Sequence, residues 1–237
     1  MSGGRDDAPK PPPADGDPRV IFAVDTSGKT QSLCLRVGED QTLHPLAAAG
    51  RRNARTLVPE AASLCGRHGL ELKDVGLVCV ATGPGSFTGL RTGVTFAKTL
   101  AFGIAAAGGR CDAVGVPAHH AAARLVFGPA AGGPDPPGTV LHAVTDALRG
   151  DLYETRFVAR ERGETPDAAP VRLVAADAFA PDGTVLTGDD AATSAATVLA
   201  AGLAAWRAGR RDDPLALVPL YVRRSSAEEK ADGGRGR

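Results

Sequence analysis

The sequence predicts an α/β fold, because short apolar segments of strand type alternate with longer stretches of helical periodicity. The first apolar run, at residues 20–24, leads through the polar turn Thr26-Ser27-Gly28 into an alternating segment at residues 33–37, which predicts a β-hairpin. Of the 237 residues, 43% are apolar, which is enough to bury a substantial core. Further strands are predicted at residues 75–81, 114–116, 140–145, 152–158, 171–174 and 184–187.

Composition divides the chain into two small lobes between two tails. Residues 1–18 carry several charges, five prolines and few bulky apolar side chains, so burial cannot offset the entropy lost on ordering them. We therefore expect a disordered tail at residues 1–18 and a flexible tail at residues 225–237. Between them we expect an N-terminal lobe at residues 19–117 and a C-terminal lobe at residues 118–224, with an exposed loop at residues 128–138.

The balance of positive and negative charges excludes a strong electrostatic field over the whole molecule. The chain has 27 basic and 27 acidic residues. Its net charge therefore does not attract a polyanion or an anionic membrane, and any contact with RNA must be local. The four cysteines are scattered without a C-x-x-C pair and are interpreted as reduced core thiols. With no apolar run near the ~20 residues that span a bilayer, we expect a cytoplasmic protein.

Two helices can be predicted in detail, and the first precedes the third predicted strand. It is expected to begin at a Thr56 cap with Pro59 in its first turn, and to end at Gly69 in the left-handed conformation. Its apolar stripe consists of Leu57, Ala61, Leu64, Cys65 and His68.

The second helix, at about residues 89–104, has low polarity on two sides. Arg91 and Lys98 are its only charged residues. A helix of this kind needs burial on both sides, so either its own chain or a partner protein covers the second one. The core side holds Leu90, Val94, Ala97, Leu100, Ala101 and Ile104, and the second side holds Thr92, Thr95, Phe96, Thr99 and Gly103.

A glycine-rich segment, TGPGSFTGLR at residues 82–91, lies between a predicted strand and the second helix. Backbone N–H groups in this context can bind a phosphate, and the residues that would do so are Gly83, Gly85, Ser86, Thr88 and Gly89. The same residues can instead turn the chain sharply and cap the helix. The segment Gly28-Lys29-Thr30 is not a P-loop, because a strand follows where that motif needs a helix.

Other candidate groups carry little chemistry. The five histidines lack the H-x-x-x-H spacing of a metal site, so neither a metal ligand nor a catalytic residue is predicted. Asp146 follows a predicted strand, where a carboxylate can bind Mg²⁺ or organise a turn. Arg51, Arg52 and Arg223 are candidates for contact with RNA phosphates, although solvated surfaces also contain such residues.

Residues 81–103, ATGPGSFTGLRTGVTFAKTLAFG, resemble the signature of the TsaB (YeaZ) family. Three further segments are similar to family motifs: VDTS at residues 24–27, DALRGDLY at residues 146–153 and PLYVR at residues 219–223. The resemblance covers most of residues 20–224. It differs at Asn53-Ala54, where the family has His followed by Ser or Thr, and at Leu148, which interrupts the family's Asp-Ala-Arg order.

The resemblance implies an actin/Hsp70/sugar-kinase-like (ASKHA, ribonuclease H-like) fold with two lobes. It also implies a non-catalytic subunit that pairs with the paralogue TsaD and acts with the ATPase TsaE, and the complex transfers a threonylcarbamoyl group to the adenosine beside the tRNA anticodon. ATP and a metal ion are then expected on the partner subunits, with no cofactor on this chain alone and possible homodimerisation in isolation. The expected partner interface is Leu57, Ala61, Leu64, Thr92, Thr95, Phe96, Thr99 and Gly103.

A different class of function remains open from the residues alone. Asp25 at the end of the first strand, the glycine-rich segment and Asp146 are the elements that an autonomous actin-like ATPase or small-molecule kinase would use. Such a protein would bind a nucleotide with Mg²⁺ without any partner.

Overall fold

The computed structural model describes residues 16–46, 53–127, 136–161, 165–187 and 193–222. Ten strands, four α-helices and two short 3₁₀ turns, at Leu72–Asp74 and Ala176–Ala178, occupy these ranges. The helices are α1 (Asn53–Gly66), α2 (Phe87–Ala106), α3 (Ala118–Phe127) and α4 (Ala195–Arg207). The strands are β1 (Val20–Asp25), β2 (Ser32–Val37), β3 (Asp40–Pro45), β4 (Leu77–Gly83), β5 (Asp112–Pro117), β6 (Val140–Asp146), β7 (Asp151–Val158), β8 (Asp167–Ala168), β9 (Arg172–Ala175) and β10 (Thr184–Leu186).

The first sheet, sheet A, has the strand order β3-β2-β1-β4-β5. Strands β1, β2 and β3 pair antiparallel, whereas β4 runs parallel to β1 and β5 runs parallel to β4. Every residue of β1 and β4 is buried, as expected for central strands that are covered on both faces. The predicted hairpin is confirmed, with Val20 opposite Val37 and Asp25 opposite Ser32.

The second sheet, sheet B, has the order β10-β6-β7-β8, and β9 also pairs with β7. Its centre is the β6–β7 hairpin, in which Val140 faces Val158 and Asp146 faces Leu152. The outer strands β8 and β9 are short and mostly exposed.

Helices cover both faces of sheet A. On one face α1 and α2 pack on Phe22, Val24 and Val80, and on the other face α4 packs on Ile21 and Cys79. Helix α4 comes after the strands of sheet B in the chain but packs on sheet A. The packing is close, since a Cβ on Gly202 would lie 2.4 Å from Cys79 Sγ. The proposed lobe boundary at residue 117 stays a prediction, and α4 packs across it.

Helix α1 begins earlier than predicted. It starts at Asn53, so the expected Thr56 cap is wrong, and Pro59 lies inside the helix rather than in its first turn. The predicted left-handed residue at its end is confirmed, because Gly69 has φ +68°. His68, expected in the buried stripe, is exposed and its Nε2 lies 3.1 Å from Thr42 Oγ1.

Several predicted features lie outside the described residues, including most of the two tails and residues 128–135 of the expected loop. Within the described ranges, no helix combines the length and apolar character needed to cross a bilayer.

Candidate functional site

The glycine-rich segment packs directly against the turn of the β1–β2 hairpin. A Cβ on Gly85 would lie 2.3 Å from the carbonyl oxygen of Ser27, and a Cβ on Gly89 would lie 2.0 Å from that of Thr26. The Ser86 N–H donates to the Ser27 carbonyl at 2.7 Å, and Thr26 Oγ1 donates to the Gly89 carbonyl at 2.8 Å. Glycine is needed at both positions because any side chain would collide with backbone atoms.

Several polar groups of this segment have partners within the chain. Ser86 Oγ accepts a hydrogen bond from the Gly89 N–H at 3.3 Å and caps α2, which begins two residues earlier than predicted. The carbonyl of Thr88 accepts from Thr92 Oγ1 at 2.9 Å. The segment therefore fixes α2 against the hairpin, and anion binding by Gly83, Gly85, Ser86, Thr88 and Gly89 remains a prediction.

Asp25, the first carboxylate of the ATPase hypothesis, is fully buried. Its Oδ1 accepts hydrogen bonds from the Ser27 backbone N–H at 2.9 Å and from Ser27 Oγ at 2.6 Å, and its Oδ2 accepts from Thr193 Oγ1. Both carboxylate oxygens are thus bonded within the chain, in a contact that joins the end of β1 to the start of α4.

Asp146, the second carboxylate of that hypothesis, organises the β6–β7 turn. Its Oδ1 accepts from the Leu148 N–H at 2.7 Å. After Ala147, three consecutive residues have positive φ: Leu148 (64°), Arg149 (60°) and Gly150 (83°). The turn interpretation of Asp146 is confirmed.

His119 is hydrogen-bonded inside the fold. His119 is buried, with Nδ1 2.8 Å from Thr155 Oγ1 and Nε2 3.1 Å from Thr145 Oγ1. Burial, with a smaller effect of neighbouring His120, lowers the pKa of His119 to about 4. In the described part of the chain, no three or more His, Cys, Asp or Glu side chains are arranged so that they could hold a metal ion.

A hydrogen-bonded group of titratable side chains at sheet B was not predicted: its His142 and Glu154 are buried, whereas Asp182 and Arg172 are mostly exposed. His142 lies 2.7 Å from Glu154 through Nδ1 and 2.7 Å from Asp182 through Nε2, and Arg172 Nε donates to Glu154 at 2.5 Å. Burial raises the pKa of Glu154, but hydrogen bonds from Arg172 and His142 outweigh it and hold that pKa below its usual range. The participants come from four separate segments, so no local motif reveals them.

An apolar groove of about 650 Å³ lies between α1 and α2. Thr95, Thr99 and Gly103 form its exposed floor, and Lys73 and Arg91 are its only charged lining residues within the described ranges. The full lining is Leu57, Val58, Leu72, Lys73, Arg91, Thr92, Thr95, Phe96, Thr99, Leu100, Gly103, Ile104 and Ala107.

The groove brings together most, but not all, of the predicted interface residues. Thr92, Thr95, Thr99 and Gly103 line it, as do the edges of the largely buried Leu57 and Phe96. Phe96 also packs on Phe22 with ring centroids 5.9 Å apart.

Two members of the predicted interface are corrected by the structure. Ala61 and Leu64 have 0% exposure and pack in the core beneath the groove. A stripe of apolar residues on a helix predicts burial without saying what covers it, and here the chain's own sheet does. The candidate RNA contacts Arg51, Arg52 and Arg223 lie outside the described residues.

A family model described as "TsaD: tRNA N6-adenosine threonylcarbamoyltransferase" matches residues 43–183. The TsaB protein of Bacillus subtilis is 33% identical over 85 residues, which cover 36% of this chain and 37% of that protein. The TsaB protein of Haemophilus influenzae is 35% identical over 84 residues, 35% of each chain. The chain belongs to the TsaB (YeaZ) family.

The matched segments span little more than a third of the length of these curated TsaB relatives. An uncharacterized protein of Mycobacterium tuberculosis is 31% identical over 226 residues, covering 90% of this chain and 95% of that protein. YeaZ from Pseudomonas aeruginosa superimposes with a TM-score of 0.68 at 19% identity, covering 85% of this chain and 99% of that one. With the strand order of sheet A, this confirms the predicted actin-like (ASKHA) α/β fold.

Proposed function

We propose that this TsaB-family chain is a non-catalytic, activating subunit of a complex that forms N6-threonylcarbamoyladenosine in tRNA. In this proposal a TsaD-type paralogue pairs with the chain through the α1–α2 groove, a TsaE-type ATPase joins them, and tRNA is bound by the assembly. Both TsaB-named relatives and the TsaD-type family model support a place in this biosynthesis.

The observation that carries the proposal is the α1–α2 groove itself. Its floor consists of threonines, a glycine and the edges of apolar side chains, and no described element of the chain covers it. An exposed apolar groove with polar residues at its rim is typical of an interaction site, since leaving its surface in contact with water is unfavourable. Its shape, a channel along two adjacent helices, fits helices of a partner.

The non-catalytic role is supported by how the candidate catalytic groups are bonded. Asp25 accepts from Ser27 and Thr193, Asp146 closes a turn, and His119 is held between two threonines. Groups so engaged would have to break internal hydrogen bonds to reach a ligand. We therefore place ATP and the metal ion on the partner subunits, and the complex in the cytoplasm.

The test is complex formation by a groove variant, Thr99→Arg, with the host's TsaD-type protein. Thr99 is exposed on the groove floor, so arginine adds bulk and charge to the contact surface, and its higher helix propensity should keep α2 folded. We expect the variant to lose co-elution at low micromolar concentration and to fail to support tRNA modification in a reconstituted assay with the TsaE-type ATPase. Ser63→Arg, on an exposed position of α1 outside the groove, is the matched control and should behave as wild type.

Two results would contradict this proposal. Co-elution of Thr99→Arg at wild-type affinity would exclude the groove as the interface, and full modification without the chain would exclude an activating role. We also infer that the isolated chain pairs with a second copy through the same groove, so light scattering on the same two variants should show a dimer for Ser63→Arg and a monomer for Thr99→Arg.

A further inference from the structure

The segment at residues 213–222, which follows α4, crosses sheet A and lies beside α2. Leu217 is buried against Gly115, where a Cβ would lie 2.6 Å from Leu217 Cδ1. The Leu220 N–H donates to the Thr82 carbonyl at 2.7 Å, and Lys98 Nζ of α2 donates to the Leu215 carbonyl at 3.0 Å. The segment is therefore held at three points along β5, β4 and α2.

This segment turns large apolar side chains towards solvent although its backbone is fixed. Leu215 is 68% exposed, Val218 64% and Tyr221 50%, at a spacing of three residues. The Tyr221 ring lies 5.1 Å from the ring of Phe87, which is 45% exposed at the start of α2. We name Leu215, Val218, Tyr221 and Phe87 together the ledge.

Arg91 connects the ledge with the α1–α2 groove. Its guanidinium carbon lies 5.3 Å from the centroid of the Phe87 ring, and its side chain also lines the groove. On α2 the exposed residues Arg91, Thr95 and Thr99 follow one another at four-residue spacing and face the same side. The exposed face of α2 thus has the groove on one side and the ledge on the other, as one continuous surface.

The charge of this surface restricts what it can bind. The two charged residues that line the groove are both basic, and Lys73 already pairs with Glu71 at 3.2 Å. Within the described ranges Arg91 contacts an aromatic ring and pairs with no carboxylate. An acidic side chain on an otherwise apolar partner complements such a surface, and tyrosine and arginine are the residue types that contribute most to protein interfaces.

We propose that the ledge is the second half of the docking face, and that the partner protein packs an apolar segment on it while placing a carboxylate on Arg91. This inference rests on the proposed function, because the occupant is the same TsaD-type partner. Three of the four ledge residues, Leu215, Val218 and Tyr221, are about 120 positions away from α2 in sequence, and none of the four was among the predicted interface residues.

The test measures the affinity of the full-length chain for the TsaD-type partner by calorimetry. We expect Tyr221→Ala and Val218→Asp each to weaken binding about tenfold or more, in the range of central interface residues. Arg91→Glu should weaken it more than Arg91→Gln, since glutamate repels the partner's carboxylate, and Arg91→Gln should reduce the salt dependence of binding. Arg19→Glu, at an exposed position just before β1, is the charge-matched control and should leave affinity unchanged.

The possible outcomes separate this inference from the proposed function. If Tyr221→Ala, Val218→Asp and Arg91→Glu all bind as wild type while Thr99→Arg does not, the ledge inference is overturned and the groove stands. If Thr99→Arg also binds as wild type, the proposed function itself fails. If the ledge variants keep partner affinity but lose retention of tRNA by the complex, the ledge is an RNA-stacking surface and our proposal is wrong.

Discussion

At the scale of single residues, the polar groups of this protein stabilise its fold. Asp25 connects β1 to the residues before α4, and His119 connects the start of α3 to strands β6 and β7 through Thr145 and Thr155. A buried imidazole between two hydroxyls is satisfied when neutral, and protonation would leave a charge in a buried site. Acid should therefore destabilise the protein at this residue.

The pH dependence of stability tests this role of His119. Burial lowers the pKa of His119 in the folded state to about 4, whereas the same side chain has a pKa of about 6.5 in the unfolded chain. Between pH 4 and pH 6.5 this histidine therefore binds a proton in the unfolded chain but not in the folded one. Stability is thus fully present above pH 6.5 and falls as the pH falls. Urea unfolding should show that wild type loses about 2 kcal/mol more between pH 7 and pH 5 than His119→Gln does.

The remaining pH dependence of that variant has an expected source. The pKa of the adjacent His120 is also lowered, mainly by burial and further by Arg210, so a smaller slope of the same sign should persist. Identical slopes for wild type and His119→Gln would show that the ring of His119 is not held neutral.

At the scale of elements, α2 owes its position to glycines on one side. Gly89 and Gly93, one turn apart, face Thr26 so closely that a Cβ would lie 2.0 Å from its carbonyl oxygen and 2.3 Å from its Oγ1. Gly103, near the other end of the helix, has no atom within 4 Å of a Cβ. Gly89 and Gly93 thus allow close packing, whereas Gly103 does not, and sequence alone does not distinguish these roles.

Alanine substitutions should separate these roles. Gly89→Ala places a methyl group against backbone that cannot move aside, so we expect a loss of roughly 3 kcal/mol or more in the free energy of unfolding. Gly103→Ala should instead raise that free energy by up to about 1 kcal/mol, because alanine favours the helix more than glycine does. Chemical denaturation of both variants gives the comparison, and a tolerated Gly89→Ala would contradict the close contact between α2 and the hairpin.

Local patterns predicted much of the fold. The β1–β2 hairpin and the β6–β7 strands follow from continuous or alternating apolar runs, and the two-sided nature of α2 follows from its near lack of charge. Strand β3 was not predicted, because an exposed edge strand with the sequence DQTLHP has no apolar periodicity. Two features depend on tertiary contacts that no short stretch of sequence contains. They are the packing of α4 on sheet A and the burial of Ala61 and Leu64 beneath the groove.

The site could be predicted only in part, for the same physical reason. Thr92, Thr95 and Thr99 were found because helical spacing places them on one face. The ledge was not predicted, since Leu215 and Val218 lie in a segment without regular secondary structure. They form part of a surface only because the fold places this segment beside α2. The group of His142, Glu154 and Arg172 is likewise assembled across strands.

At the scale of the whole molecule, the elements that bind nucleotide in an autonomous ATPase are engaged in internal contacts. The glycine-rich segment lies on the hairpin turn, and Asp25 accepts three hydrogen bonds from its own chain. Calorimetry with Mg²⁺ and ATP should therefore give no binding heat for the isolated chain, with the TsaD-type partner as positive control. Micromolar, Mg²⁺-dependent binding that is lost in Asp25→Asn would favour the ATPase hypothesis instead.

The return of α4 to sheet A also has a consequence for how the chain folds during synthesis. The strands of sheet A lie within residues 20–117, but one of its faces is covered by Val198, Leu199 and Leu203 of α4. Asp25 likewise accepts a hydrogen bond from Thr193, which is synthesised much later. Until α4 has left the ribosome, a central apolar surface has no cover, and contacts of such long range slow folding. Nascent chains of this protein thus pass through a long interval in which an incomplete sheet is exposed to chaperones and to other nascent chains.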